Sequence, residues 1–246
     1  MCGLTAVLAL QRPDEPATTG AATLEEEIDN SLEIVKHRGP DARGQWISPD
    51  RRVGKVSMAY LKCASICRLG ELTWREKKIK GLGHVRLSII DLSPDGNQPF
   101  HDTKNDVHAI VNGELYDHER YRAELAQEYD FKGHSDCEIV LALYQHYGLS
   151  FLSHLRGEFA LVLWDARRQL FFAARDRYGI KSLYYTFLDG RLLVATEMKS
   201  FLAFGWQPEW CVQTLRDNGW RFDSRTLFKG VRKVSYSSSL SRRSKQ

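Results

Sequence analysis

The sequence contains no apolar stretch long enough to cross a membrane. A membrane-spanning helix needs roughly 18 or more consecutive apolar residues, and no run of that length occurs. The N-terminus also lacks the basic region, apolar core and cleavage site of a secretory signal peptide. We therefore predict no membrane span and no export signal, and we expect the protein in the cytoplasm.

Cysteine is scarce, and nothing in its spacing predicts disulfides or a metal site. There are five cysteines, an odd number. Without a secretory signal, an odd count is typical of free thiols in a reducing compartment. Cys63 and Cys67 form the only close pair, and no second pair or nearby histidine completes a zinc site. We predict no metal centre.

The charge is not organised for nucleic acid. Lysine and arginine exceed aspartate and glutamate by 35 to 31, which gives a net charge of +4. Much of the excess lies in residues 75–80 and 242–245 rather than in a stripe interleaved with aromatic residues. Because of this distribution, we do not predict nucleic-acid binding.

Hydrophobic periodicity predicts a layered α+β fold. Apolar or alternating runs predict strands over residues 3–10, 83–92, 107–111, 159–164, 170–174, 183–187 and 192–195. Leu24, Ile28, Leu32 and Val35 recur at helical spacing after Thr23. Further helices are predicted over residues 118–129 and from Ser135, where Glu138 would complete a capping box. Two groups of antiparallel strands with helices between them indicate an α+β domain.

Cys2 is a candidate nucleophile because of its position. If Met1 is removed, one residue carries both a thiol and a free α-amine whose ordinary pKa is roughly 7.7–8. Such an amine can take the proton of its own thiol, so no histidine partner is needed. The alternative is that a cysteine at position 2 has no function.

Asn112-Gly113 follows the predicted strand over residues 107–111. Asn-Gly is the strongest two-residue signal for a tight turn, so we expect a hairpin turn here.

Six short motifs occur in this order along the chain: Cys2-Gly3, His37-Arg38-Gly39-Pro40-Asp41, Gly83-His84-x-Arg86-Leu87-Ser88-Ile89, Gly96-Asn97-Gln98-Pro99, Asn112-Gly113-Glu114 and Ser135-Asp136. Together they resemble the class II glutamine amidotransferases, which are N-terminal-nucleophile hydrolases with an αββα sandwich of two antiparallel sheets between helical layers. The Arg-Leu-Ser-Ile and Gly-Asn-Gln-Pro motifs look most like the glutaminase domain of asparagine synthetase. The runs 157–160 and 175–185 extend the match.

The resemblance implies a role for each site residue. Cys2 would attack the side-chain amide of L-glutamine, and Asn112 and Gly113 would form the oxyanion hole. Arg86 would bind the α-carboxylate of the substrate, and Glu114 and Asp136 its α-ammonium. The pocket wall would be completed by main-chain groups of Leu87, Ser88, Ile89 and Ile90. Two alternatives stay open: another class II amidotransferase, such as one of the purine or hexosamine pathways, or a non-catalytic remnant.

The chain departs from the family in two places. An atypical insertion occupies residues 54–81 of a predicted amidotransferase domain that covers residues 2–210. Residues 211–234 resemble the start of a linker or next domain, and 235–246 form a serine- and arginine-rich tail that we expect to be unstructured. Both departures start at Lys-Val-Ser, which can be encoded by a splice-donor sequence, so translated introns are one explanation and a genuine insertion and tail are the other.

The same resemblance sets the expected cofactors and partners. The glutaminase step would use no cofactor. ATP and Mg would act only in a synthetase domain, and its Ser-Gly-Gly-x-Asp-Ser loop does not occur in this chain. We therefore expect this chain alone to make no asparagine. L-Glutamine is the expected partner, together with a separate or missing synthetase domain, and a homodimer is left open.

Overall fold

The computed structural model describes residues 1–9, 21–48, 56–57, 73–74 and 80–234. The strands are β1 (Gly3–Ala9), β2 (Ala42–Ile47), β3 (Val56–Ser57), β4 (Thr73–Trp74), β5 (Lys80–Arg86), β6 (Phe100–Asp102), β7 (Val107–Tyr116), β8 (Arg156–Asp165), β9 (Leu170–Arg175), β10 (Tyr184–Leu188), β11 (Arg191–Ala195) and β12 (Arg232–Lys233). The α-helices are α1 (Ala21–Ile34), α2 (His118–Leu125), α3 (Ile139–Tyr147), α4 (Val212–Arg216) and α5 (Gly219–Phe222). Single turns of 3-10 helix cover Lys36–Arg38, Pro94–Gly96 and Asp136–Glu138, and longer ones cover Gly148–His154 and Met198–Phe204.

Two antiparallel sheets form the centre of the fold. One has the strand order β12-β10-β11-β1-β5-β2, and the other has the order β6-β7-β8-β9. Their facing sides share one apolar cluster. α1 and the Met198–Phe204 turn cover the outer face of the first sheet, and α2 and α3 cover that of the second. The predicted αββα sandwich is confirmed.

β1 pairs with β5 on one edge and with β11 on the other, and it is buried on both faces by the second sheet and by α1. Its even-numbered residues Leu4, Ala6 and Leu8 join the cluster between the sheets. On the other face, Thr5 bonds Ser31 of α1 through their hydroxyl groups at 2.9 Å. The chain therefore starts in the middle of a sheet, which fixes its first residues.

Asn112-Gly113 does not form a turn. β7 continues through both residues and pairs with β8 as far as Tyr116, with Asn112 opposite Ala160 and Gly113 opposite Phe159. A Cβ atom on Gly113 would lie 2.1 Å from the main-chain oxygen of Glu158. The hairpin interpretation is wrong, and this glycine is needed for close strand approach rather than for a turn.

Other boundaries differ from the predictions. The strand predicted over 83–92 ends at Arg86, because residues 87–98 leave the sheet as a loop. α1 begins at Ala21, so Thr23 is not its N-cap. No capping hydrogen bond is made by the side chain of Ser135. Its intended partner Glu138 instead accepts from the main-chain N–H groups of Lys132 and Gly133.

The predicted domain boundaries stay predictions. Most of the insertion 54–81 and all of the tail 235–246 lie outside the described residues. Within 211–234, β12 pairs with β10, and Val231 and Val234 are buried. Among the helices that the structure describes, none combines the length and apolarity of a membrane span.

Close packing of α1 on β5 gives a stability test at Gly81. A Cβ atom there would lie 2.2 Å from Cδ1 of Ile28, which is fully buried. We expect Gly81→Ala to lower the free energy of unfolding by about 1–3 kcal/mol through overpacking. Ile28→Val removes Cδ1 and by itself costs about 1 kcal/mol. Urea unfolding should show that the double variant loses less than the sum of the two single losses. Strict additivity would contradict this account of the contact.

Candidate active site

A pocket opens at the end of the sandwich where β1, β5 and β7 meet. Nine of the ten predicted site residues line it: Cys2, Arg86, Leu87, Ile89, Ile90, Asn112, Gly113, Glu114 and Asp136. Ser88 is the exception. Its main-chain N–H donates to Oδ2 of Asp41 at 2.7 Å.

Strand register brings the main polar groups together. Gly3 pairs with Val85, so Cys2 and Arg86 adjoin at the same end of neighbouring strands. Side chains alternate along a strand, and the even-numbered residues of β1, β5 and β7 face the space between the sheets, as Leu4, Leu82 and Ile110 do. Cys2, Arg86 and Asn112 follow this parity.

Main-chain and ionic contacts hold Cys2. Its Sγ accepts a hydrogen bond from the N–H of Leu87 at 3.3 Å and lies 3.7 Å from the carbonyl oxygen of Leu87. Nε of Arg38 donates to the carbonyl oxygen of Cys2 at 2.9 Å. Arg38 is itself held by a 2.8 Å ion pair with Glu197. The nucleophile candidate is therefore fixed from both sides.

Burial keeps the Cys2 thiol protonated. It raises the pKa of Cys2 above the ordinary value, although the Leu87 main chain, the chain's positive N-terminus, Arg86 and Arg38 oppose this rise. A thiol with a raised pKa needs a base before it can attack. Met1 also lines the pocket, and its Sδ lies 3.7 Å from Nζ of Lys181. Removal of Met1 would open the pocket and free the α-amine of Cys2 together.

Asn112 provides an unused hydrogen-bond donor. The residue is only 1% exposed, and its Nδ2 has no hydrogen-bond partner among the described residues. A buried donor without a partner costs about 1–3 kcal/mol. Such a group in a pocket wall indicates that a bound molecule supplies the acceptor.

Arg86 is buried and also builds the pocket wall. Its guanidinium donates to the carbonyl oxygens of Ser93 and Asp91 and to Oδ1 of Asn97, at 2.8 Å for Ser93 and 3.0 Å for Asn97. A Cβ atom on Gly96 would lie 2.1 Å from its Nη2. The family resemblance implies only a substrate contact for Arg86, and the structure shows that Arg86 also holds loop 91–97 in place.

The acidic residues differ in burial. Asp136 is buried, and its Oδ2 accepts the N–H of Leu115 at 2.7 Å. Glu114 is exposed at the pocket mouth. Nearby, Lys181 and Glu158 form an ion pair of 3.0 Å. The pocket therefore offers both signs of charge to a zwitterionic ligand.

Five other residues that line the pocket were not among the predicted site residues: Asp91, Gln98, Ser135, Cys137 and Lys181. Three of them, Gln98, Ser135 and Lys181, lie within motifs that carried the family resemblance, which was the available signal. Asp91 organises the loop after β5. Burial would raise its pKa, but hydrogen bonds from Ser93 and His134 and the charge of Arg86 lower it to about 2.

His84 lies behind the pocket, between the sheets. Its Nε2 donates to the carbonyl oxygen of Val111 at 3.0 Å. Burial lowers the pKa of His84 to about 4, so the ring is neutral at physiological pH. Among the residues that the structure describes, no group of three or more His, Cys, Asp or Glu is arranged to hold a metal ion. Cys63 and Cys67 lie outside those residues.

Comparison with known proteins matches residues 70–246 to a family described as the glutamine amidotransferase domain. Amidase chry2 of Gibberella zeae and Amidase chyE of Penicillium rubens are 57% and 58% identical over 95% of this chain. Asparagine synthetase B [glutamine-hydrolyzing] of Escherichia coli is 34% identical over 75% of this chain. The chain spans about a third of these relatives: 31% of each amidase and 28% of the synthetase.

A solved structure supports the fold. The glutamine phosphoribosylpyrophosphate amidotransferase from B. subtilis superposes with a TM-score of 0.56 at 19% identity. The match covers 82% of this chain and 43% of that one. At this identity the likeness concerns the fold alone.

Protonation of His84 predicts a pH dependence of stability. The unfolded chain binds this proton below about pH 6.5, whereas the folded protein binds it only near pH 4. Stability should therefore fall as pH falls through this window, by up to about 2–3 kcal/mol from this group. His84→Gln keeps an N–H donor but does not titrate, so urea unfolding at pH 7, 6 and 5 should show a shallower slope for the variant. Equal slopes would contradict the assignment.

Proposed function

The chain belongs to the class II glutamine amidotransferase family, and we propose that it hydrolyses the side-chain amide of L-glutamine to glutamate and ammonia through a thioester on Cys2. One observation carries the proposal: the buried, unpartnered Nδ2 of Asn112 lines the same pocket as the Cys2 thiol. Acyl transfer needs a nucleophile and hydrogen-bond donors that stabilise the oxyanion. The Cys2 thiol and the Asn112 amide could supply one of each.

In the proposed reaction, Met1 has been removed and the α-amine of Cys2 takes the thiol proton. The sulfur attacks the amide carbon of glutamine and forms a tetrahedral oxyanion. Nδ2 of Asn112 and the N–H of Gly113 donate to this oxygen, a contribution of roughly 3–4 kcal/mol for each well-placed donor. The intermediate collapses with loss of the C–N bond, and the amine's proton leaves with ammonia.

Water completes the cycle. The neutral amine takes a proton from water as the oxygen attacks the thioester carbon. A second oxyanion forms, the C–S bond breaks, and the sulfur recovers its proton as glutamate leaves. Each step uses this chain's own residues, so we propose no cofactor for the hydrolysis.

Glutamine selection follows from the charges around the pocket. We propose that Arg86 binds the α-carboxylate, since a guanidinium matches a carboxylate in shape and charge. Asp136 and Glu114 bind the α-ammonium. Leu87, Ile89 and Ile90 enclose the aliphatic part of the substrate, while the N–H of Ser88 supports the loop through Asp41.

The fate of the ammonia is a narrower question. The relatives at 57–58% identity are named amidases, and those named asparagine synthetases are 30–35% identical. Amide hydrolysis agrees with both names. Asparagine formation is our second candidate, favoured by the match to asparagine synthetase B, and it would need ATP, Mg and a synthetase domain.

Substitution of Cys2 tests the chemistry. Glutamate release should be measured on protein whose mass confirms loss of Met1. We expect Cys2→Ala to lower the rate of glutamate release by a factor of at least about 10³. A form extended by one uncleaved residue should be equally inactive, because its Cys2 nitrogen is an amide.

Cys211→Ala is the matched control, because Cys211 lies outside the pocket at the start of α4. It should keep full activity. Activity in Cys2→Ala would refute the mechanism. A folded, Met1-free wild-type protein that releases no glutamate would favour the non-catalytic remnant.

Asp136→Asn tests substrate binding. The amide can still accept from Leu115, but the charge that would meet the α-ammonium is lost. A charged hydrogen bond contributes about 1.5–3 kcal/mol, so we expect KM for glutamine to rise about 10- to 100-fold with a smaller change in kcat. Glu124→Gln on the exposed part of α2 is the control and should leave KM unchanged. An unchanged KM in Asp136→Asn would remove this residue from the binding site.

A further inference from the structure

The side chain of Gln98 replaces a missing strand at the edge of β7. β6 pairs only with residues 107–109 of β7. Beyond residue 109, the side-chain amide of Gln98 forms the hydrogen bonds to this edge of β7. Its Oε1 accepts the N–H of Val111 at 2.6 Å, and its Nε2 donates to the carbonyl oxygen of Val111 at 3.0 Å. A buried side chain thus makes both hydrogen bonds of a neighbouring strand residue.

The carbonyl that Gln98 holds belongs to the peptide group leading into Asn112. It also accepts from Nε2 of His84 at 3.0 Å. On its other side, β7 is paired with β8. The main chain that carries Asn112 is therefore fixed from the loop, from the facing sheet and from β8.

Gln98 is itself held tightly. A Cβ atom on Gly44 would lie 2.1 Å from its carbonyl oxygen, so β2 packs directly against the main chain of Gln98. The preceding residue, Asn97, accepts from Nη1 of Arg86 at 3.0 Å. Gln98 is 6% exposed and also lines the pocket. Its amide has little freedom to leave Val111.

We infer that Gln98 is a positioning residue for the oxyanion hole: through its two hydrogen bonds to Val111, it sets the place and direction of the Asn112 side-chain amide. This inference rests on the proposed function. Donors stabilise an oxyanion only when they are fixed before the charge develops. Misplacement by about 1 Å can cost about 10²-fold in rate.

The test combines Gln98 variants with Asn112→Ala. Gln98→Glu has nearly the same size but loses the donor to Val111. Gln98→Met removes both hydrogen bonds without a charge. We expect each to lower kcat for glutamate release about 10- to 100-fold, with KM for glutamine changed by less than about 3-fold. Thermal unfolding of each variant tests whether it is folded at the assay temperature. If Gln98→Glu does not fold, Gln98→Met carries the test.

The decisive comparison is the Asn112→Ala background, assayed at high enzyme concentration. If Gln98 acts through Asn112, its substitution there should cost less than about 2-fold, because the group being positioned is gone. An equal loss in both backgrounds would overturn the inference, as would a raised KM with kcat kept. A wild-type protein without Cys2-dependent activity would instead refute the proposed function.

Discussion

Pairing of β1 between β5 and β11 is the constraint on which the site depends. A chain terminus is ordinarily mobile, yet here both edges and both faces of the first strand are covered. The register that places Gly3 opposite Val85 also places Cys2 beside the exit of β5. The Leu87 N–H can then reach Sγ. The same burial that anchors the strand raises the pKa of the thiol.

The second sheet supplies the groups that face Cys2. Packing of the two sheets aligns the even-numbered residues of β1, β5 and β7 across one interior. They include Leu4, Ala6, Leu8, Leu82 and Ile110, which are apolar and fill the space. At one end they become Cys2, Arg86 and Asn112, and the apolar core gives way to a polar pocket. The core and the pocket therefore both lie in the layer between the two sheets, and the packing that stabilises the fold also sets the geometry of the pocket.

Part of this arrangement is predictable from the sequence. The position of Cys2 makes it a candidate nucleophile, the family resemblance implies Arg86, Asn112 and Asp136, and the structure brings all four to one pocket. The predictions that the structure contradicts concern local features: a turn, a strand end and a helix cap. Asn-Gly has a strong turn propensity, but pairing of β7 with β8 over ten residues outweighs it. The end of β5 was missed because the loop is held by Arg86 contacts that no periodicity reveals. Ser135 was misread as a cap because the partner expected for it, Glu138, bonds a different segment of the chain.

The raised pKa of Cys2 has a consequence for when the site becomes active. A protonated, buried thiol is a poor nucleophile, and the described residues place no histidine in the pocket wall to deprotonate it. While Met1 is attached, the Cys2 nitrogen is an amide and cannot act as a base, and Met1 itself occupies the pocket lining. Under the proposed mechanism, one cleavage changes both conditions, because it frees the amine and clears the pocket. Under that mechanism a chain that keeps Met1 is inert, and reactivity begins when Met1 is removed.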